Sequence, residues 1–516
     1  MDEPTLSLAE LLADLSLISD LEMGHEPETA VRACVVATGF ARALDLPEAA
    51  VADVYYTALM LHLGCTAYAH EAAAAFGDDI KVNQLGSQID HANPREAFTN
   101  WLPAVVRELP VGAQARAGAT FLVRGKRIGA NLQTATCEVG VLTARRLGLT
   151  AAVTDAIDQG FEWWNGKGRR HLGGEDIVLP VRIAQIATQA SLLDQVAGTE
   201  AAFSALVKRS GRTLDPHLVA AFARFGPALL DESADVDLRA AAIAAEPEPR
   251  RLVAGVELDG IAAAFGDLVD LKSPYTHGHS GGVARLAESA GQHLHLEAAE
   301  VTVLRLAGLL HDLGRVAISS AIWGKPGRLT ATEWERVRLH PYHTERILAR
   351  SEALAPVGRV AGMHHERLDG SGYYRQAIGR EIAFPARVLA AADAFHAKIE
   401  PRPHRSALTT DQAATALRDE AKAGRLDPEA VGAILAVAGH GRSARRSWPG
   451  GLSDREVEVL RLVAAGCSVP QIARRLVIAH KTADHHVQHI YTKLGISTRA
   501  AAALYAMEHD LISDGR

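Results

Sequence analysis

The stretch VLRLAGLLHDLG, residues 303–314, decides the fold class. Its apolar residues recur at intervals of three and four, which is the spacing of one face of an α-helix, and Gly314 stands where a helix commonly ends. The same spacing runs through AVRACVVATGFARAL (30–44) and EVEVLRLVAAG (456–466). Few stretches alternate with the period of two that indicates a β-strand. We therefore expect an all-α protein.

The composition is that of a globular chain. The 516 residues are 48% hydrophobic and 22% charged, which excludes a mainly disordered protein. Aromatic residues make up only 5%, and many apolar positions are alanine, which suits close-packed helices better than sheets. The net charge of −7 provides no global positive field, so any contact with nucleic acid must be local.

Two further classes of protein are excluded by the residue pattern. The four cysteines lack C-x-x-C spacing, which argues against a disulfide framework and against a cysteine zinc site. No apolar run reaches the length of a transmembrane helix, and the acidic N-terminus lacks the basic region of a signal peptide. We expect a soluble cytoplasmic protein without membrane contact.

Two segments divide the chain into three blocks. Residues 231–250 are acidic and end in Glu-Pro-Glu-Pro, which cannot continue a helix. Residues 439–451, GHGRSARRSWPGG, are typical of a mobile basic tether. The predicted domains are therefore residues 1–235, 251–438 and 452–516.

The first two blocks share their polar residues. EWWNGKGRRHLGGEDIVLPVRIAQIAT (162–188) parallels ERLDGSGYYRQAIGREIAFPARVLAAAD (366–393), and LMLHLGCTAYAHE (59–71) parallels GLLHDLGRVAISS (308–320). A tandem duplication is the simplest account of this similarity. The alternative is two unrelated alanine-rich helical domains.

The middle block carries enough histidine and carboxylate side chains to hold two metal ions. This mixture of ligands favours Mn, Fe, Ni or Co over Zn or Mg. Asp312 is the natural bridging ligand, because a carboxylate can bind two cations and an imidazole cannot. The candidate ligands are His279, His311, Asp312, His340, His364, His365 and Asp393.

Such a site predicts hydrolysis of a phosphate ester. Two divalent cations about 3.5–4 Å apart lower the pKa of a shared water and neutralise the charge that develops on a phosphate. Arg315 follows Gly314 and offers a planar fork for phosphate oxygens. We therefore assign catalytic roles to Asp312 and Arg315. Redox chemistry is the alternative, although no neighbouring residue argues for it.

The motifs of this block resemble the HD-GYP subgroup of HD-domain phosphohydrolases. The resemblance covers about residues 265–440 and implies hydrolysis of the bacterial second messenger cyclic di-GMP at a site of two or three metals. It places the family's ligands on the seven residues named above. Its motifs here are PYTHGHS (274–280), LLHDLGR (309–315), LHPYHTERIL (339–348), HHERLDGSGYY (364–374), ARVLAAADAF (386–395) and RPHR (402–405).

Four positions depart from the family pattern. Tyr275 replaces the glutamate of members with three metals, so two metals are expected. Arg315 stands for the usual lysine, Tyr374 for the proline of Gly-Tyr-Pro, and His404 for the usual tyrosine. The departure at Tyr374 is expected to loosen its loop. A different cyclic dinucleotide or phosphate ester therefore stays open as the substrate.

The first block is expected to be a degenerate copy without a dinuclear site. In the sequence parallel, its first and second histidines survive as His25 and His62, but Leu63 replaces the bridging aspartate. Gly160-Phe161 replaces the histidine pair, and Thr188 replaces Asp393. The block is then a ligand sensor, a pseudo-symmetric partner or a packing scaffold.

The third block has the rhythm of a helix-turn-helix domain. Apolar positions of its third helix, 481–494, should face inward and leave the polar positions for DNA. The block resembles the LuxR-type (NarL/FixJ-like) DNA-binding domain, with LSDREVEVL, IARRL, KTADHHV and IYTKLGIST in register, which implies a homodimer on double-stranded DNA. A small protein-interaction domain is the alternative. The candidate DNA-binding residues are Arg474, Arg475, Lys481, Thr482, His485, Gln488 and Lys493.

Three hypotheses for the whole chain follow. The first is a signalling transcription regulator whose phosphodiesterase domain is coupled to DNA binding. The second is a regulator that senses a nucleotide without turning it over. The third is a hydrolase of another phosphate ester.

Overall fold

The computed structural model describes residues 6–439 and 448–512. The chain divides into two compact units, unit 1 (Met1–Leu258) and unit 2 (Asp259–Arg516). In the described residues, the regular structure is helical apart from one two-stranded antiparallel sheet, in which β1 (Leu6–Ser7) pairs with β2 (Leu252–Val253). The all-α expectation is confirmed.

Unit 1 consists mainly of helices α1 to α14, with 3₁₀ turns at Cys65–Tyr68 and Gly174–Asp176 and a π turn at Ala97–Trp101. The helices in order are Leu8–Leu15, Leu17–Met23, Thr29–Ala43, Glu48–Met60, Ala69–Phe76, Asp79–Gln88, Pro94–Glu96, Leu102–Val106, Val111–Arg146, Ala151–Asp158, Leu179–Ala197, Thr199–Arg209, Pro216–Glu232 and Leu238–Ala245.

Unit 2 follows with helices α15 to α28, the first of which begins before the boundary between the units. Its 3₁₀ turns are Leu313–Ala317, Gly379–Glu381 and Pro449–Gly451. The helices in order are Gly255–Asp270, His279–His293, Ala298–Leu310, Ser320–Trp323, Ala331–Arg338, His340–Leu348, Ala355–Ala361, Phe384–Ile399, Thr410–Lys422, Pro428–Ala438, Asp454–Ala464, Val469–Arg475, His480–Leu494 and Arg499–Glu508.

The segment 231–250, predicted to be a linker, is instead folded into unit 1. Helix α14 lies in it, and the Tyr55 hydroxyl donates a hydrogen bond to the Ala242 carbonyl at 3.1 Å. Arg239 also pairs with Asp14 at 2.6 Å. The two prolines do end a helix as predicted, since α14 stops at Ala245. The second predicted linker falls largely on residues 440–447, which lie outside the described residues, and the three-block boundaries stay a prediction.

The helices of unit 2 bring five separate parts of the chain to one place. His279 is the first residue of α16, and His311 caps the C-terminus of α17. His340 is the first residue of α20, His364 lies just beyond the end of α21, and Asp393 lies within α22. Helix ends carry most of these side chains, so small local turns decide where they point.

The C-terminal helices of unit 2, α25 to α28, pack against one another. Ser453 caps α25 through a reciprocal pair with Glu456, as the S-x-x-E pattern requires. The inward positions predicted for the third of these helices, α27, are buried at Ala483, Val487 and Ile490.

The four cysteines lie in the described part of the chain, are all buried, and form no disulfide. In the stretches that the structure describes, no helix combines the length and the apolar character needed to cross a membrane.

Candidate metal centre

All seven predicted ligands converge in unit 2. The imidazoles of His279, His311, His340 and His364 are at most 1% exposed, and Asp312 and Asp393 are also buried. His365 is partly buried, with 19% of its side chain exposed. Groups that prefer water are thus collected in the interior, which costs free energy unless they are paired.

Hydrogen bonds fix the orientation of three of these imidazoles. His311 lies with Nδ1 at 2.8 Å from the Gly308 carbonyl. His340 and His364 make the same contact, each at 2.6 Å, with the carbonyl three residues earlier. A carbonyl only accepts, so Nδ1 carries the proton in all three rings. Each Nε2 is therefore an acceptor with its lone pair available to the cavity.

The carboxylate of Asp312 lies between two sets of imidazoles. Its Oδ1 is 3.3 Å from Nε2 of His340 and 3.7 Å from Nε2 of His364. Its Oδ2 is 3.5 Å from Nε2 of His311 and 3.8 Å from Nε2 of His279. Two groups around Asp312 can each hold an ion, His340 with His364 and His365, and His279 with His311 and Asp312. A third such group lies on the outer side of His279, which it forms with His396 and Glu400.

Asp393 lies at the edge of both groups. Its Oδ1 is 3.2 Å from Nε2 of His279, and its Oδ2 is 3.6 Å from Nδ1 of His365. One carboxylate thus lies between these two groups of imidazoles, and another lies beside them.

A cation fits these residues better than any arrangement of protons among them. Nε2 of His311 and Nδ1 of His365 are buried without a hydrogen-bond partner among the described residues. Nε2 of His340 faces Nε2 of His364 at 3.2 Å, although both atoms are acceptors. Facing acceptors are satisfied together by a positive ion bound between them.

The pKa shifts favour the protonation states that bind metal. Burial, together with the neighbouring imidazoles, lowers the pKa of His364 to about 3, and burial also lowers the pKa of His311 and His365. Burial opposes ionisation of Asp312, but Arg315 and the imidazoles hold its pKa well below the ordinary value. Neutral imidazoles and ionised carboxylates are the ligand forms.

His279 is electrostatically different from the other ligands. Burial acts to lower its pKa, but the Glu400 carboxylate and the hydrogen bond to Asp393 outweigh burial and raise the pKa to about 10. Without a metal ion, the imidazole of His279 is therefore protonated on both nitrogens and positively charged at neutral pH.

Arg315 is held at the rim of the cluster. Its Nη1 is 3.1 Å from Oδ2 of Asp312, and its guanidinium lies over the Trp323 ring with Cζ 3.9 Å from the centroid. Thr344 supports the same turn, because its hydroxyl accepts from the Gly314 amide and donates to the His311 carbonyl, both at 2.9 Å.

Several residues of the site were not predicted from the sequence. Trp323 lies outside the predicted motifs, and Thr344 lies within LHPYHTERIL (339–348) without an assigned role there. Tyr373 packs against His365 with ring centroids 4.2 Å apart, and its place beside the Asp-Gly-Ser-Gly turn was an available signal. Glu400 accepts from Nδ1 of His279 at 3.0 Å, seven residues after Asp393.

The loop at Tyr374 is not loosened as predicted. The Tyr374 hydroxyl donates to Oε2 of Glu345 at 2.8 Å, and Arg375 pairs with the same carboxylate. Where proline would restrict the backbone, a side-chain contact to α20 ties the loop down instead.

The corresponding turns of unit 1 can be identified by their backbone contacts. Helices α3 and α16 have 15 residues each, and each follows a residue with positive φ, Glu28 (72°) or Gly278 (78°). A Cβ on Gly64 would lie 2.0 Å from the Thr136 carbonyl oxygen, and a Cβ on Gly314 would lie 2.0 Å from that of His340. These two features show which residues of unit 1 correspond to which residues of unit 2.

This structural correspondence changes the residues of unit 2 with which His25 and His62 were matched in the sequence. The helix start at His279 corresponds to Thr29, so His25 is not the surviving first histidine. Counting back from the paired glycines, Leu61 corresponds to His311 and His62 corresponds to Asp312. The sequence comparison paired His62 with His311 because both are histidines. The packing of Gly64 and Gly314 shifts this pairing by one residue, so that His62 corresponds to Asp312.

The other ligand positions of unit 1 hold groups that bind metal poorly. Glu162 accepts from the amides of Arg170 and Leu172, as Glu366 does from those of Arg375 and Ala377. Gly160-Phe161 therefore stands where unit 2 has His364-His365. Within the described residues of unit 1, no histidine, cysteine and carboxylate cluster is arranged to hold an ion.

The candidate DNA-binding residues are found at exposed positions of the C-terminal helices. Arg474, Arg475, Lys481, Thr482, His485 and Gln488 are all exposed. Lys493 is exposed as well, although its Nζ lies 2.8 Å from Oε2 of the buried Glu456 and donates to the Gly451 carbonyl at 3.1 Å. Its role in DNA binding stays a prediction.

Comparisons with known proteins agree with this arrangement. Residues 264–430 match the family described as HD domain, and residues 451–506 match that described as bacterial regulatory proteins, luxR family. The chain is 31% identical over 444 residues to the 3'3'-cGAMP-specific phosphodiesterase 3 of Vibrio cholerae, covering 83% of this chain and 94% of that protein.

Two further similarities have different extents. The cyclic di-GMP phosphodiesterase response regulator RpfG of Xanthomonas campestris is 38% identical over 164 residues, which are 31% of this chain and 43% of that protein. The crystal structure of the cyclic GMP-AMP specific phosphodiesterase V-cGAP3 of V. cholerae superposes with a TM-score of 0.59 at 28% identity, covering 85% of this chain and 99% of that one.

Proposed function

The chain belongs to the HD-GYP phosphodiesterases and carries a LuxR-type DNA-binding domain, and from this premise we propose that it hydrolyses a cyclic dinucleotide at a two-cation site and couples the reaction to DNA binding. One observation carries the proposal: the two oxygens of Asp312 face two different sets of imidazoles, at 3.3 Å from His340 and 3.5 Å from His311. A carboxylate in that position can bridge two cations.

The residues of unit 2 divide the work as follows. When bound, two divalent cations activate a water molecule and neutralise charge on the phosphate. His279, His311, His340, His364, His365 and the two aspartates would hold the ions. Mn, Fe, Ni or Co suit this mixture of imidazole and carboxylate better than Zn or Mg.

Arg315 is proposed to bind a non-bridging phosphate oxygen. Its guanidinium is already oriented by Asp312 and by the face of Trp323, so little freedom is lost when the phosphate binds. The Tyr373 ring beside His365 offers a surface on which a base can stack.

We propose 3'3'-cGAMP as the preferred substrate, ahead of cyclic di-GMP. The relative named for 3'3'-cGAMP aligns with 83% of this chain, whereas the cyclic di-GMP phosphodiesterase RpfG aligns with 31%. The longer alignment includes regions outside the metal-binding segments, where residues that select between purine bases can lie.

The test measures turnover by the purified full-length protein loaded with Mn²⁺. We expect 3'3'-cGAMP and, more slowly, cyclic di-GMP to be linearised, and Asp312→Ala to lower the rate about a thousandfold or more. Product formation is followed by chromatography. Tight binding of both dinucleotides with no product would replace hydrolysis by sensing, and turnover of other phosphate esters alone would reject the substrate class.

The proposed coupling uses contacts within unit 2. The ring of His277, two residues before His279, contacts the carbonyl of Ala464 at the end of α25. Arg285 of α16 forms an ion pair with Asp510 at 2.9 Å. A shift at the start of α16 would therefore change contacts made by the DNA-binding domain, whose polar recognition face stays exposed.

The coupling predicts that a bound dinucleotide changes affinity for DNA. Double-stranded fragments selected from a random library would be titrated with and without 3'3'-cGAMP, using Asp312→Ala to prevent turnover. Lys481→Ala should weaken binding several-fold through the loss of a phosphate contact. If the dinucleotide leaves the affinity for DNA unchanged, the coupling is rejected. If Lys481→Ala leaves that affinity unchanged, the assigned recognition helix is rejected.

Two further proposals rest on the LuxR-type resemblance. A homodimer would present two recognition helices to an inverted repeat. A protein that binds chromosomal DNA in a bacterium acts in the cytoplasm, which is where we place it.

A further inference from the structure

Glu400 contacts Nδ1 of His279, whereas three of the other predicted imidazole ligands direct Nδ1 at a backbone carbonyl. The three rings of His311, His340 and His364 donate from Nδ1 to the carbonyl three residues earlier. For His279, the carbonyl three residues earlier belongs to Thr276 and accepts from the His279 backbone amide at 2.9 Å. The Nδ1 atom of His279 contacts a side-chain acceptor instead, Oε2 of Glu400 at 3.0 Å.

Both oxygens of Glu400 are held in place. Arg402 donates to Oε2 at 2.9 Å and also to the Tyr275 carbonyl at 2.7 Å. Nδ1 of His396 lies 3.1 Å from Oε1. The side chain of Glu400 is only 13% exposed. The carboxylate is therefore a fixed group. Together with His279 and His396 it could itself hold an ion, but Arg402 and the His279 ring already contact its Oε2.

Unit 1 offers an internal comparison for this contact. Thr29 corresponds to His279, and its hydroxyl donates at 2.9 Å to the side-chain oxygen of Gln195. Gln195 follows Thr188 by the same number of residues as Glu400 follows Asp393. The contact between the two helices is thus retained, while the negative charge occurs only in the unit that has the imidazole ligand.

We propose that Glu400 is a positioning residue that prepares His279 to bind a metal ion. By accepting the Nδ1 proton, its carboxylate holds the tautomer in which Nε2 points to Asp393 and Asp312, and it makes Nε2 more basic. This role rests on the proposed function, because it takes His279 as a ligand. Glu400 is not one of the seven predicted ligands, and it acts on the metal ion only through His279.

The experiment titrates the metal-free full-length protein with Mn²⁺ alone and measures affinity by calorimetry. Glu400→Gln keeps the size of the side chain and an acceptor oxygen but removes the charge. We expect a tenfold to hundredfold loss of affinity at the site of His279 in Glu400→Gln, and a larger loss in Glu400→Ala. Gln195→Ala, the matched change in unit 1, should leave Mn²⁺ affinity unchanged.

A second readout separates positioning from a general loss of structure. At low Mn²⁺ the turnover of Glu400→Gln should fall, and saturating Mn²⁺ should restore kcat with KM unchanged. A misfolded variant would not be rescued by metal, and that result would overturn the positioning role.

The outcomes also separate this role from the proposed function. Wild-type Mn²⁺ affinity in Glu400→Gln and Glu400→Ala, with affinity lost in Asp312→Ala, would reject the role of Glu400 alone. Wild-type affinity in Asp312→Ala would reject the metal site, and the role of Glu400 with it.

Discussion

One turn occurs in both units and carries the predicted pair of metal ligands in only one of them. In unit 2 the turn after α17 reads His311-Asp312-Leu313-Gly314, and in unit 1 the turn after α4 reads Leu61-His62-Leu63-Gly64. Both glycines lie so close to a carbonyl oxygen of a neighbouring helix that a Cβ would lie 2.0 Å from it. The packing of the turn is the same, although the side chains in it differ in chemistry.

The comparison teaches that packing and ligation are separable in this fold. Arg182 pairs with Asp215 in unit 1, as Arg387 pairs with Asp427 in unit 2. Contacts that hold helices together recur, while the positions of unit 1 that match the predicted ligands hold threonine, leucine, histidine, glycine and phenylalanine. The tandem duplication stays a prediction, and these recurring contacts support it.

The largest expected effect comes from placing the residues of unit 1 in the site of unit 2. Combining His364→Gly with His365→Phe removes two imidazoles from one group of ligands, and we expect hydrolysis to fall about a thousandfold or more. Elemental analysis should show fewer metal ions per chain. His62→Ala is the control in unit 1, and hydrolysis lost in that variant as well would break the comparison.

The next effect tests whether the two turns pack alike. Gly64→Ala and Gly314→Ala should each lower the free energy of unfolding by about 3 kcal/mol, because the new methyl group meets backbone rather than a movable side chain. Denaturant unfolding measures the change.

A control for the glycine variants lies in α9. Gly118 has no atom within 4 Å of a built Cβ, so Gly118→Ala should not destabilise the protein. Stability retained in either turn variant would mean that the two turns do not share this contact.

Removal of the metal ion should lower the stability of unit 2 and leave that of unit 1 unchanged. Mn²⁺ at a hundred times its dissociation constant should stabilise unit 2 by about 2.7 kcal/mol, since the ion binds only the folded site. Hydrogen exchange read by mass spectrometry should show metal-dependent protection at helices α16, α17 and α22 and none in unit 1. Equal protection in both units would mean that unit 1 also binds the ion.

The smallest effect concerns a helix cap that both units retain. Asp215 accepts from the amides of His217 and Leu218, and Asp427 does the same at the start of α24. Asp215→Ala and Asp427→Ala should each cost about 2 kcal/mol of stability without affecting the metal content, because each removes the cap and the ion pair with Arg182 or Arg387. Thermal unfolding measures both, and a much larger cost in one unit would show that its aspartate has acquired another role.

Much of this protein could be predicted from local patterns. The helical spacing in VLRLAGLLHDLG places His311 and Asp312 at the end of a helix, which is where they lie. Histidine and aspartate are unusual in a buried apolar context, so the ligand set stood out by residue type alone. The exposed face of α27 followed from the same periodicity.

Other features depended on contacts between distant parts of the chain. Glu400 reaches His279 across 121 positions of sequence, and nothing in its own neighbourhood indicates that contact. Lys493 satisfies the basic pattern of a DNA-binding helix, yet the buried Glu456 on another helix attracts it. The register of unit 1 was set by Gly64 against α9, not by the matching histidines.

Sequence by itself determined the helices and the chemical types of the ligands, because both depend on residues a few positions apart. Only the tertiary structure decided how the ligands divide around Asp312 and which outer groups orient them. Those relations depend on how helices pack, and packing is set by the shapes of surfaces that are far apart along the chain.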